Sequence, residues 1–320
     1  MGWGLTVPQL GLPLLDHEAL VRQLPQWGYT DLWSAETAGT DAFVPLALAA
    51  TWEPTLRLGT AIVPVFTRGP ALIAMSAATM AATAPGRFVL GLGASSPAIV
   101  GNWNGFDFTE PYRKTRDVLR IVKQALAGER VDGNFDTVTI KRFKLEQPPV
   151  DPPPVMLAAL RPQMLRLAGR EADGAILNWL ASYDVAQCLD AIGEPTDTVA
   201  RIFVCPTEQT EYARTLGRRL ISSYLTVPAY AAFHDWLGRG DALRPMHEAW
   251  AAGDRTGASA AIPDEVVDDL VLHGSPESVR AQVQAYADAG LGTPMIALLP
   301  TPDGDLTDII RRLGKQSEES

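Results

Sequence analysis

Few side chains in this 320-residue chain are of a type that does chemistry alone, and they do not cluster. The two cysteines, Cys188 and Cys205, have neither CxxC spacing nor adjacent histidines, which reads as core thiols rather than a metal or redox pair. No HExxH and no Gly-x-Ser-x-Gly occurs, so metal-assisted hydrolysis and acyl transfer lack support. What recurs is a short apolar strand ending in small, polar or aromatic residues. In chain order these ends are Gln9, Glu36-Thr37, Ala61-Ile62 and on to Val65, Gly93-Ala94-Ser95-Ser96, Ala159-Leu160-Arg161, Asn178-Trp179, Pro206 and Leu299-Pro300. Small residues let a ligand approach the backbone closely. Such a set suits a flat, conjugated organic cofactor held by backbone amides and stacking.

Individual positions admit two readings. Glu36 is the sole carboxylate at these ends, a candidate general acid/base or a loop-capping carboxylate. Arg161 precedes Pro162, which opens a helix; an arginine at a helix N-terminus suits an anion, or it forms a surface ion pair. Asn178 and Trp179 offer a polar group and a stacking face, unless the tryptophan is core. Gly91-Leu-Gly93 lacks the third glycine of a dinucleotide fingerprint, and Gly93-Ala-Ser-Ser-Pro97 is expected to line a ring or tail site. His17 and His247 fall in helical patterns and are expected to be solvated, whereas His273 could reach the same region as the strand ends.

The elements that must position these ends alternate. Strands are expected near 3–7, 30–35, 56–66, 87–93, 155–160, 174–179, 201–206 and 294–299, most with helices between them. Pro64 inside the long third strand implies a bulge or kink. Asp16 is placed to cap a helix running to Trp27, ended by Gly28. Ser275-Pro276 is a helix start. Alternating strands and helices point to a single (β/α)₈ TIM barrel over 1–320, with a helical insertion at about 207–273 between strands seven and eight. In a barrel, ligands sit at the C-terminal strand ends. The insertion supplies Tyr224, Phe233 and Trp236 as candidate walls for a fairly hydrophobic small-molecule substrate.

A net charge of −10 disfavours nucleic acid and anionic membranes. No apolar run reaches about 18 residues, and the first residues lack the basic and apolar regions of a signal peptide. A cytoplasmic protein is expected, and a homodimer.

Several segments together resemble the luciferase-like monooxygenase superfamily, its coenzyme F420-dependent oxidoreductases in particular. They are Trp3-Gly-Leu-Thr-Val-Pro8, Gly28-Tyr-Thr-Asp-Leu-Trp-Ser-Ala-Glu36, Leu58-Gly-Thr-Ala-Ile62 with Arg68-Gly-Pro70, Arg87 to Gly93, Leu165 to Asn178, and His273-Gly-Ser-Pro-Glu277. The resemblance implies hydride transfer between C5 of a deazaflavin and an organic substrate. The alternatives are an FMN-dependent monooxygenase working through a peroxyflavin, and a degenerate barrel that only binds ligand. It implies a bulge, often with a non-proline cis peptide, at Ala61-Ile62 behind the ring. It also implies an Asp-His pair where this chain has Glu36-Thr37, and Gly-Gly phosphate binding where it has Leu160-Arg161. No metal site is implied.

Overall fold

Strands buried on both faces read as near-continuous apolar runs, and Phe88–Gly93 is buried along its whole length. The computed structural model describes residues 2–315. Its strands are β1 (Trp3–Thr6), β2 (Tyr29–Ser34), β3 (Arg57–Thr60), β4 (Val63–Pro64), β5 (Phe88–Gly93), β6 (Val131–Asn134), β7 (Thr139–Phe143), β8 (Val155–Ala158), β9 (Gly174–Asn178), β10 (Asp197–Cys205), β11 (Val271–His273) and β12 (Thr293–Leu298). β6 and β7 form a separate antiparallel hairpin. The rest are parallel in the order β11-β10-β12-β1-β2-β3-β5-β8-β9, and β9 pairs back onto β10. That closes an eight-stranded barrel with β4 continuing β3.

Around it run α1 (His17–Val21), α2 (Phe43–Trp52), α3 (Pro70–Thr83), α4 (Pro111–Leu126), α5 (Pro162–Glu171), α6 (Val185–Ile192), α7 (Thr210–Tyr224), α8 (Pro228–Trp236), α9 (Gly240–Ala251), α10 (Arg255–Ala260), α11 (Asp264–Leu270), α12 (Pro276–Asp288) and α13 (Leu306–Leu313). Inside the ring, Trp33, Val89, Met156, Ile176, Val199 and Met295 pack as a floor, each from a different strand. The space above that floor is where a ligand can enter.

The insertion consists of α7 to α11 around its own apolar cluster, which includes Ile221, Met246 and Val267. It is not wholly helical, because β11 follows α11. β9 pairs with β10 as far as Arg201, and from Phe203 to Cys205 the neighbour on β10 is β11. The upper barrel is therefore splayed, with the insertion in the gap.

Three local expectations need correction. The first helix is not continuous from Asp16: Pro25 lies in a separate 3₁₀ turn (Leu24–Trp27), and Asp16 makes no capping bond. Gly28 does end the segment at φ +82°, where an added Cβ would lie 1.9 Å from the Lys315 carbonyl oxygen. His17 is buried, not solvated; its Nε2 accepts the Gln9 backbone N–H at 2.7 Å. Neither α6 nor α13 was expected. Ser275 does cap α12, accepting from the Ser278 N–H at 3.2 Å.

Candidate functional site

The third barrel strand breaks between β3 and β4, and the Ala61–Ile62 peptide in the break is cis. The end of β2 holds this turn: the Ala61 N–H donates to the Ser34 carbonyl at 2.6 Å and the Glu36 N–H to the Ile62 carbonyl at 3.2 Å. Below it, the Thr60 hydroxyl donates to the Gly91 carbonyl at 3.0 Å and accepts the Gly91 N–H at 2.8 Å. One side chain thus fills both ladder positions where the strands separate. Gly91 has no room for a Cβ, which would sit 1.9 Å from the Thr60 carbonyl oxygen. A Cβ on Gly93 would come within 3.0 Å of Ile62 and Ala158 side-chain atoms.

Ala61 and Ile62 wall a cavity of about 690 Å³ at the C-terminal face. Gly93, Ala94 and Ser95 continue that wall, with Ser95 at φ +66°. Leu160, Arg161 and Asn178, after β8 and at the end of β9, also line it. Arg161 is exposed, extended in backbone, and N-caps α5, whose first residue is Pro162. It makes no ion pair among the described residues. The Gln163 N–H of the first turn is therefore free of intrahelical bonding, beside a cation at the cavity mouth. Glu110 is the one carboxylate in the lining among the described residues, and Arg113 holds it at 2.7 Å.

Eight of the residues singled out by sequence thus converge: Ala61, Ile62, Gly93, Ala94, Ser95, Leu160, Arg161 and Asn178. The others lie outside the lining. Gln9 is buried and donates through Nε2 to the Thr6 carbonyl at 2.6 Å. Ser96 Oγ accepts from the Ile99 N–H at 3.3 Å in the turn that follows β5. Thr37 stands exposed beside Glu36. The Glu36 carboxylate is engaged by Arg68, with Nη2 to Oε1 at 2.6 Å and Nε within 3.1 Å of both oxygens. It also accepts the Ala42 N–H at 3.2 Å. Trp179 is buried at φ +56° and stacks on Phe203 with ring centroids 4.0 Å apart.

Among the lining residues that sequence reasoning missed, two bear on the chemistry. Tyr230 of α8 reaches the cavity, and the Asn178 Nδ2 donates to its hydroxyl at 2.8 Å. Burial pushes the Tyr230 hydroxyl up to about 12, so it stays protonated at neutral pH. Tyr224 lies behind it at 6.0 Å, while Phe233 and Trp236 stack on each other in the main core. The second is Arg201 of β10. A lone arginine inside the apolar run Val199-Ala-Arg-Ile-Phe-Val204 was the available signal. His273 does not line the cavity; its Nδ1 lies 3.1 Å from the Val271 carbonyl oxygen.

Residues 5–293 match the sequence profile of the luciferase-like monooxygenases. The chain belongs to that family. It is 28% identical to a Mycobacterium tuberculosis protein assigned as a coenzyme F420-dependent oxidoreductase, over 90% of each chain. The coenzyme F420-dependent tetrahydromethanopterin reductase of Methanopyrus kandleri shares the fold with a TM-score of 0.78 at 18% identity, covering 98% of this chain and 97% of that one. So does the FMN-bound oxygenating constituent of the Pseudomonas putida 3,6-diketocamphane monooxygenase, with a TM-score of 0.63 at 17% identity over 99% and 97%.

Proposed function

We propose that this protein is a coenzyme F420-dependent oxidoreductase that moves a hydride between the deazaflavin and a small organic substrate. The observation that carries this reading is the shape of the cavity. One wall is the broken strand at Ala61–Ile62 with Gly93 kept small by contact, and the mouth carries Arg161 and the α5 N-terminus. A flat ring fits against the first, and an anionic tail against the second. When bound, the deazaflavin supplies a hydride-accepting carbon at C5 and reacts poorly with oxygen.

The chain's own residues do the rest. Ile62 and Ala61 present an apolar back wall, which excludes water from the ring face. Leu160 adds a further apolar side chain to the lining. Glu36 is proposed to act by position: its N–H fixes the Ile62 carbonyl while its carboxylate anchors Arg68, which lies 5.1 Å over the Phe43 ring. Tyr230, protonated and facing the cavity, is the group placed to move a proton at its hydroxyl. We also propose a homodimer. α2 and α3 contain no charged residue, yet Val44, Leu72 and Met75 face solvent at 46–50% exposure.

Calorimetric titration with coenzyme F420 and with FMN tests the cofactor. Micromolar or tighter binding of the deazaflavin and weaker binding of FMN is expected. Micromolar FMN binding without deazaflavin binding would replace this reading with a flavin monooxygenase, and binding of neither with a ligand-binding barrel.

A further inference from the structure

The other buried or half-buried arginines among the described residues are held by carboxylates or, as with Arg87 and Arg280, by backbone carbonyls; Arg201 is not. Arg57 pairs with Asp31 and Asp197, Arg68 with Glu36, Arg116 with Asp117 and Asp136, and Arg239 with Asp184. Arg201 has no carboxylate partner among the described residues. Its Nε is buried without a hydrogen-bond partner, and the Phe203 ring lies 4.8 Å from the guanidinium carbon. Alternation along β10 explains its direction. Val199 lies in the barrel floor, so Arg201, two residues on, projects into the cavity directly above it. An unpaired cation in a partly desolvated place is costly, and it is kept where a partner arrives with a ligand.

The neighbouring strand supplies the second half. Asn178 of β9 is the register partner of Arg201 across the ladder. Its Oδ1 is buried without a partner while its Nδ2 is given to Tyr230. The Tyr230 hydroxyl accepts that bond, which leaves its own proton free to be donated. The inner end of the cavity thus gathers two donors, a guanidinium and a phenol proton, the second oriented by the Asn178 amide. The lining carboxylate Glu110 is already taken by Arg113. Beside this polar cluster the wall is apolar, formed by Ile176, Val227, Pro228 and Ala229.

We infer that Arg201, with the Tyr230 hydroxyl that Asn178 holds in place, is a substrate-recognition site for an oxyanion, a carboxylate or phosphate monoester on an apolar or aromatic body. The proposal rests on the deazaflavin reading for what happens to that substrate, but its binding claim stands on these residues. Arg161 at the mouth is left for the anionic tail of the cofactor, so the two cations serve different ligands.

The test uses benzoate, phenyl phosphate and neutral benzamide, titrated by calorimetry into the full chain, alongside coenzyme F420. Wild-type protein is expected to bind benzoate or phenyl phosphate at least tenfold more tightly than benzamide, and whichever binds better names the oxyanion. Arg201→Gln should remove that preference, Arg201→Lys should keep part of it, and both should bind coenzyme F420 within twofold of wild type. Because Arg201→Lys retains the charge, it separates loss of recognition from loss of folding. Equal binding of anions and benzamide, or binding of none of the three, overturns the proposal. So does an Arg201→Gln variant whose defect is in coenzyme F420 binding instead, since Arg201 would then serve the cofactor. If anions bind through Arg201 but the deazaflavin does not bind wild type, the cofactor reading fails and this site stands.

Discussion

Glu36 shows how a side chain can adjoin a site without facing it. A general acid or base needs a proton path to the reacting group, and this carboxylate instead has its oxygens on Arg68. Glu36→Gln is therefore expected to weaken cofactor binding about tenfold, in line with the 1.5–3 kcal/mol of a charged hydrogen bond. The limbs of the kcat pH profile should remain in place. Loss of one limb with a drop of about 10²-fold in kcat and unchanged cofactor affinity would instead make Glu36 the proton-transfer group. The residue was legible as the carboxylate at a strand end; its partner was not, because Arg68 lies 32 residues away. Arg201 was illegible for another reason. β10 runs nine residues to Cys205, so the cavity meets its middle, whereas a reading of strand ends stops at Pro206.

At the scale of elements, the break in the third strand and its cis peptide at Ala61–Ile62 were anticipated through the family resemblance, while the residues alone pointed to the wrong cause. Pro64 was read as the cause, yet Pro64 pairs regularly with Gly93 in β4 and the irregular residues are Ala61 and Ile62. The backbone there is held by β2 and by the Thr60 hydroxyl, contacts that no local pattern reveals. Ala61→Phe should fold with an unchanged far-ultraviolet circular dichroism spectrum and lose deazaflavin binding. Normal binding by that variant would place the ring elsewhere. Gly91→Ala has a different expected outcome. Its methyl would meet the Thr60 backbone as well as the Ile176 side chain, and the backbone cannot swing aside, so loss of soluble protein or a fall of several kcal/mol in urea denaturation is predicted. The remaining barrel strands were readable because burial on both faces gives each a plain apolar run. The 3₁₀ turn at Leu24–Trp27 and the helix α6 were not, since short helices depend on packing more than on propensity.

For the whole molecule, acid should act through the core before it reaches the site. His234 is buried in α8, and desolvation together with the nearby Arg239 guanidinium pushes its imidazole down to about 3. The unfolded chain takes up that proton near pH 6.5, so the unfolded state binds more protons below this value and stability is lost as pH falls from 6.5 toward 3. Between pH 7 and pH 5 this group alone should remove about 2 kcal/mol by urea denaturation, and His234→Leu should flatten that part of the curve. Light scattering should give twice the chain mass, and the pair Leu72→Lys with Met75→Lys should halve it while leaving the fold intact; a wild-type monomer would reject the α2–α3 interface. The splayed barrel has a broader consequence. The ring is sealed by β9 on β10 only as far as Arg201, and above that level β11 stands in for β9. Structural closure and the wall bearing Tyr230 thus belong to different stretches of chain. Selection can redraft the stretch from α7 to α11 to suit a new molecule while the lower ring and the Ala61–Ile62 wall go on holding the same cofactor, so specificity can drift in this scaffold without reopening the barrel.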